Sequence, residues 1–159
     1  MSTFIATVET WVRADIPAWD AHAVSVPVML GAGWFRFQVP TANVGCVNGL
    51  YTGAALRQVS DVDYGIRVWR GEYSVSEYGE EKTARVSFGA VSELEFSIIR
   101  FEGSVYYCVG DTPGPHTHPE IPVQIPNRVF HVSRANLWVP VRLGTFTYAF
   151  DDRVYNRAV

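Results

Sequence analysis

Apolar and polar residues alternate at short range along most of this chain, and turn formers interrupt them at short, fairly even spacing. That is the pattern of an antiparallel sandwich or barrel. The clearest run is Val62 to Arg70. Val62, Tyr64, Ile66 and Val68 fall on one face; Asp61, Asp63, Arg67 and Trp69 fall on the other. Side chains alternate across a strand, so the first set is assigned to a core and the second to water or a ligand. Gly71 leads into Glu72–Tyr78, which ends at Gly79, and a polar loop follows at Glu80 to Lys82.

Further strands are expected at Thr3 to Val12, Ala23 to Leu30 and Trp34 to Val39, with Gly31-Ala32-Gly33 as a turn. Val44 to Tyr51 reads as a strand broken by Asn48-Gly49. Leu94 to Val109 reads as two strands around a tight Glu102-Gly103 turn, where Gly103 tolerates positive φ. That register opposes Ile99 to Tyr106 on one face, and Arg100 to Val105, Ile98 to Tyr107 and Phe96 to Val109 on the other. Both faces are largely apolar, so this hairpin is expected to be central and covered on each side. Residues 110–126 contain five prolines. Proline cannot donate to a ladder, so an ordered loop or edge is expected there. Val129 to Val132, Ala135 to Val141 and Thr145 to Phe150 complete the set, with at most a short turn of helix.

Composition supports this reading. In 159 residues valine occurs 23 times and leucine 6, and aromatics make up 14%. Stiff β-branched and ring side chains suit a pleated sheet. The chain is 48% hydrophobic and 18% charged, which excludes a disordered class. One domain is expected over 1–159, with 1–20 as an N-terminal strand or arm and 110–128 as a proline-rich loop. No basic n-region and apolar h-region open the sequence, so no signal peptide is expected. The uncharged stretches 21–35 and 37–56 contain proline and are not read as membrane helices. A net charge of −3 with scattered arginines gives no nucleic-acid footprint. Cys46 and Cys108 are expected to be buried thiols rather than a pair.

A family resemblance rests on four segments. Gly33-Trp34-Phe35-Arg36-Phe37 resembles the glycine–aromatic–x–aromatic strand of concanavalin A-like jelly rolls of phage and bacterial surface proteins. Asp63-Tyr64-Gly65-Ile66 and Val75-Ser76-Glu77-Tyr78-Gly79 resemble their central strand pair. Leu94 to Tyr107, with Arg100 before the glycine turn and Val105-Tyr106-Tyr107 after it, is similar to their hairpin. The resemblance spans roughly residues 20 to 150. It implies two antiparallel sheets stacked face to face, with sugar-binding or structural roles in virions. Gly110-Asp111-Thr112 and the proline segment depart from the family's short return.

Three constellations carry candidate chemistry. His116-Thr117-His118, with Asp111 and Glu120 nearby, has metal-like spacing, against the plainer reading of a solvated loop; no metal or cofactor is expected. Glu77, Glu93, Glu95, Asp61 and Asp63 could supply a glycosidase pair, but the alternating three-acid strand of jelly-roll hydrolases is missing. No nucleophile elbow, phosphate loop or dinucleotide fingerprint occurs. Trp69, Arg67, Tyr73, Tyr78 and Tyr106 could stack on and orient a glycan, against the plainer reading of rings covered by a second sheet or a partner.

The expectation is an all-β, two-sheet jelly roll serving as a non-enzymatic structural component of a phage particle or tail. Its partners would be other virion proteins, copies of itself and host-surface glycan, with synthesis in the host cytoplasm. A carbohydrate-binding module is the alternative, and a small glycan hydrolase or lyase the second.

Overall fold

A computed structural model describes residues 2–4, 8–12, 21–41, 45–53, 58–134 and 139–147. In chain order the strands are β1 (Ser2–Phe4), β2 (Val8–Val12), β3 (Ala21–Met29), β4 (Gly33–Pro40) and β5 (Gly45–Tyr51). There follow β6 (Tyr64–Trp69), β7 (Glu72–Glu77), β8 (Glu80–Glu81), β9 (Val86–Ser87) and β10 (Glu93–Phe101). The last are β11 (Ser104–Val109), β12 (His116–His118), β13 (Ile121–Ile125), β14 (Arg128–Arg134) and β15 (Val141–Thr147). One five-stranded sheet runs β1-β4-β10-β11-β14, and an eight-stranded sheet runs β2-β3-β15-β5-β6-β7-β8 with β9 also on β7. Apart from the parallel β1–β4 pair, neighbours are antiparallel. The chain passes back and forth between the two sheets, giving a jelly-roll β-sandwich.

Alternation explains the core between the sheets. Phe35 and Phe37 on β4, Phe96 and Ile98 on β10, and Val105 and Tyr107 on β11 meet Leu50, Ile66, Val68, Tyr73 and Val75 from the other sheet. Burying each such side chain stabilises the fold by about 1.5–3 kcal/mol. Tyr73 meets Phe88, Phe96 and Phe130 edge-on, with ring centroids 5.3–6.0 Å apart. Such aromatic pairs add to the gain from burial alone.

The β10–β11 hairpin has the register expected from sequence, Ile98 opposite Tyr107 and Ile99 opposite Tyr106. It is central, flanked by β4 and β14. Its second apolar face explains the proline-rich segment. β12 and β13 pair only with each other, and Ile121 and Ile125 lie against Ile99, Tyr106 and Cys108 on the outside of the five-stranded sheet. Within the expected loop or edge, His116–His118 and Ile121–Ile125 thus form a two-stranded ribbon. Pro119 sits in its turn and Pro122 in β13, which among the described residues has no strand beyond β12 to receive its amides.

Several expected boundaries move. Val59–Asp61 forms a 3-10 turn, so β6 starts at Tyr64 rather than Val62. Val62 then leaves the Tyr64 face and joins Val47, Tyr51 and Phe146 on the opposite side of the sheet. β5 is not broken at Asn48-Gly49: Gly49 pairs with Gly65 and with Gly144. A Cβ at Gly49 would lie 2.1 Å from the Tyr64 carbonyl oxygen, so only glycine lets these backbones approach. β15 runs through Val141–Thr147, joining the end of one expected strand to the start of the next; the rest of both, residues 135–138 and 148–150, lies outside the described residues, as do most of 1–20.

Candidate functional site

The aromatic set does not converge. Trp69 and Arg67 share the outer face of β6; Arg70 lies 5.1 Å from the Trp69 ring centre, and Arg67 lies 3.4 Å from Glu81. Tyr73 is opposite Val68 and faces the core at 2% exposure, so its ring is closed to a ligand. Burial also raises its phenol pKa. Tyr78 sits in the turn after β7, at φ 52 and well exposed, its hydroxyl 3.3 Å from that of Tyr64. Tyr106 lies on the other sheet beneath the ribbon, donating to Glu120 at 2.8 Å. Apart from Trp69 and Arg67, these residues occupy separate surfaces, because strand phase, not composition, decides which face a ring takes.

The two histidines are separately engaged. His116 Nε2 is 3.0 Å from the Thr112 carbonyl, and His118 Nδ1 accepts from the Glu120 amide. Among the described residues no group of three His, Cys, Asp or Glu side chains is placed to hold a metal ion. Cys108 lies under the ribbon and Cys46 in the inter-sheet core, so neither joins a disulfide.

The acids also separate. Glu77 is buried between the sheets, accepting from Tyr107 at 2.7 Å and from Ser133. Asp63, expected on an exposed face, is buried and accepts from the Thr52 amide and hydroxyl. Asp61 accepts from the Gln58 amide in the 3-10 turn. Glu93 is half-buried at the start of β10.

Glu95 opens onto a cavity of about 310 Å³ on the outer side of the five-stranded sheet beside the ribbon. Its walls are Glu95 from β10, the segment Gly110 to Gly114 that leaves β11, and Pro126 and Asn127 before β14. Glu95 Oε1 accepts from Arg36 Nη2 at 2.8 Å, from Arg36 Nε at 3.1 Å and from Asn127 Nδ2 at 3.1 Å. Asn127, only 4% exposed, also donates from Nδ2 to Ser97 at 2.6 Å. Arg128 grips Asp111 with Nε at 3.0 Å and Nη2 at 2.5 Å, and this pairing lowers the Asp111 carboxyl pKa. Two carboxylates and two guanidinium groups balance, so the site is near neutral.

Arg36, Asn127 and Arg128 carry no signal in the sequence. Arg36 and Glu95 are 59 residues apart and meet only because β4 pairs with β10.

No family model matches the sequence, and no curated protein does. Among solved structures, stonustoxin superposes with a TM-score of 0.52 at 9% identity, over 81% of this chain but only 20% of that one. The PSpry domain of TRIM65 gives 0.47 at 12% identity, over 84% of this chain and 70% of that domain. A Bacillus licheniformis β-glucanase gives 0.44 at 15% identity, over 87% and 64%. At such identities the likeness to stonustoxin speaks to the fold alone: this chain is a two-sheet, antiparallel jelly-roll β-sandwich.

Proposed function

We propose that the chain is a non-enzymatic structural subunit of a phage particle or tail, held by contacts with copies of itself and with other virion proteins. One observation carries this reading. Leu30 is 76% exposed and Val139 49% exposed, and both sit at one end of the sandwich. Met29 pairs with Val141, so Leu30 and Pro140 follow as neighbours at the strand ends. Arg100, 3% exposed, donates to the carbonyls of Gly31 at 2.9 Å and Val139 at 2.6 Å, tying the two loops together. Exposed apolar side chains braced at one end of the sandwich in this way support a contact with another protein.

The acids support binding over catalysis. Glycoside hydrolysis needs one carboxyl kept protonated near neutral pH. Asp111 is shifted the other way by Arg128, Glu95 is paired with Arg36, and Glu77 is closed between the sheets. Light scattering tests the assembly reading. Wild type is expected above its 17.8 kDa monomer mass, and the pair Leu30→Glu with Val139→Glu is expected at that mass. Monomeric wild type at the highest attainable concentration would overturn it.

A further inference from the structure

We infer that residues 112–126 form a latch: the proline-rich ribbon swings off the outer face of the five-stranded sheet as a unit while both sheets stay formed. The ribbon joins no larger ladder. Among the described residues β12 and β13 pair only with each other, at His116–Ile125 and His118–Ile121, with an irregularity between the two pairs. A lone two-stranded hairpin is marginally stable in water, so the ribbon depends on what it lies against. Within β13 only Ile121 and Ile125 are buried; Pro122, Val123 and Gln124 are exposed. A second hold is Glu120, which accepts from Tyr106 and Arg134. The Arg134 side chain is 63% exposed and that of Glu120 42%, so water and salt screen the ion pair and it contributes little.

Two fixed posts fasten the ribbon to the sheet. At one end Gly110 donates its amide to the Glu95 carbonyl at 2.7 Å, and Asp111 is paired with Arg128. At the other, Asn127 donates to Ser97 at 2.6 Å and to Glu95 at 3.1 Å. These bonds join β10, β14 and the residues that border β11 and β14, so they survive when the ribbon lifts. Between the posts and the ribbon lie Gly114, at φ 101, and Pro126. The cavity of about 310 Å³ is bounded by both tethers, Gly110 to Gly114 and Pro126-Asn127, so the tethers are not packed down on the sheet there. Segments with few buried contacts open at lower free energy than core strands.

Opening uncovers a defined surface. Ile121 and Ile125 lie against Ile99, Tyr106 and Cys108, and Val129 and Val132 pack against that cluster. The sheet side chains among these come from β10, β11 and β14, which are tied to one another by their own ladders. A contiguous apolar face of this kind is suited to protein contact, and the closed latch withholds it. The two thiols separate this motion from global unfolding, since Cys108 lies under the ribbon and Cys46 lies between the sheets. The latch does not depend on the assembly reading.

The test is thiol labelling of the full chain in a series of urea concentrations, with the labelled cysteine identified by peptide mass spectrometry. Cys108 is expected to react in urea below the unfolding transition, with a weak urea dependence, because lifting the ribbon exposes little surface. Cys46 is expected to react only through the transition, with the steep dependence of global unfolding. Ile125→Ala, which removes one of the two buried anchors, should speed Cys108 labelling about tenfold or more. Ile66→Val, which loosens the core between the sheets, should speed Cys46 labelling severalfold and leave Cys108 unchanged in low urea. Should Ile125→Ala fail to fold, wild type and Ile66→Val decide alone. Equal urea dependence for the two thiols, Cys46 reacting first, Ile66→Val speeding both alike, or Ile125→Ala leaving Cys108 as protected as before would each overturn the latch.

Discussion

The buried carboxylate of Glu77 is a cross-brace between the two sheets, and its energetics can be tested by a double-mutant cycle. Glu77 ends β7 in the eight-stranded sheet at 9% exposure, and Tyr107, in the other sheet, is fully buried. Tyr107 donates to Glu77 at 2.7 Å, and Ser133 donates to the same oxygen. Tyr107→Phe removes one hydrogen bond to a charge and leaves the carboxylate buried with a single donor. A hydrogen bond to a charged group contributes about 1.5–3 kcal/mol. At roughly 2–4 °C per kcal/mol for a chain of this size, Tm should fall by about 3–12 °C. In a Glu77→Met background no buried charge needs that donor, so the same substitution should cost about 1 kcal/mol or less. The expected coupling is therefore about 1–2 kcal/mol. Urea unfolding followed by tryptophan fluorescence measures all four corners of the cycle. Single-mutant losses that add to within about 0.5 kcal/mol would refute the brace.

Other expectations follow from the same structure. Hydrogen bonds from Arg134 first, and Tyr106 second, hold the Glu120 carboxyl down to about 2. A folded value below the unfolded one means that this clasp on the ribbon is complete above the ordinary carboxylate range and is lost as pH falls from there through about 2. A carboxyl carbon NMR titration should give that midpoint, and Arg134→Gln should return it towards the ordinary range; a wild-type midpoint of about 4 would contradict the geometry. Burial pushes the Cys108 thiol up to about 12, and Cys46 is buried as well. Neither should react with a thiol reagent near pH 8 until denaturant is added; rapid labelling of native protein would count against their placement. Gly49→Ala must force backbone apart at the Tyr64 carbonyl and should destabilise by about 3 kcal/mol or more, whereas Gly31→Ala meets nothing within 4 Å and should shift stability by less than about 0.5 kcal/mol. Equal melting temperatures for the two variants would show that the close approach at Gly49 is not real.

Much of the scaffold is legible before any coordinates. Valine-rich alternation, glycine turns and the apolar hairpin around Glu102-Gly103 are local properties, so β4, β7, β10 and β11 fall close to where the pattern puts them. Two apolar faces on one hairpin even imply a cover on each side. The identity of that cover is not local: five prolines argue for a loop, and Ile121 and Ile125 become a lid only because Ile99 and Tyr106 await them. Phase is equally fragile. One 3-10 turn at Val59–Asp61 moves Val62 to the other side of the sheet and leaves Asp63 buried.

The sequence by itself determined an all-β chain, the register of its central hairpin and the burial of its thiols, because these depend on alternation and on neighbours a few residues away. The tertiary structure alone decided which side chains share a surface. It scattered Trp69, Tyr73, Tyr78 and Tyr106, and it gathered Glu95, Gly110, Asp111 and Asn127 around one cavity, with Arg36 paired to Glu95 and Arg128 to Asp111. Sheet order brings residues 59 positions apart to within a hydrogen bond, and the spacing of residues along the chain carries no record of that pairing.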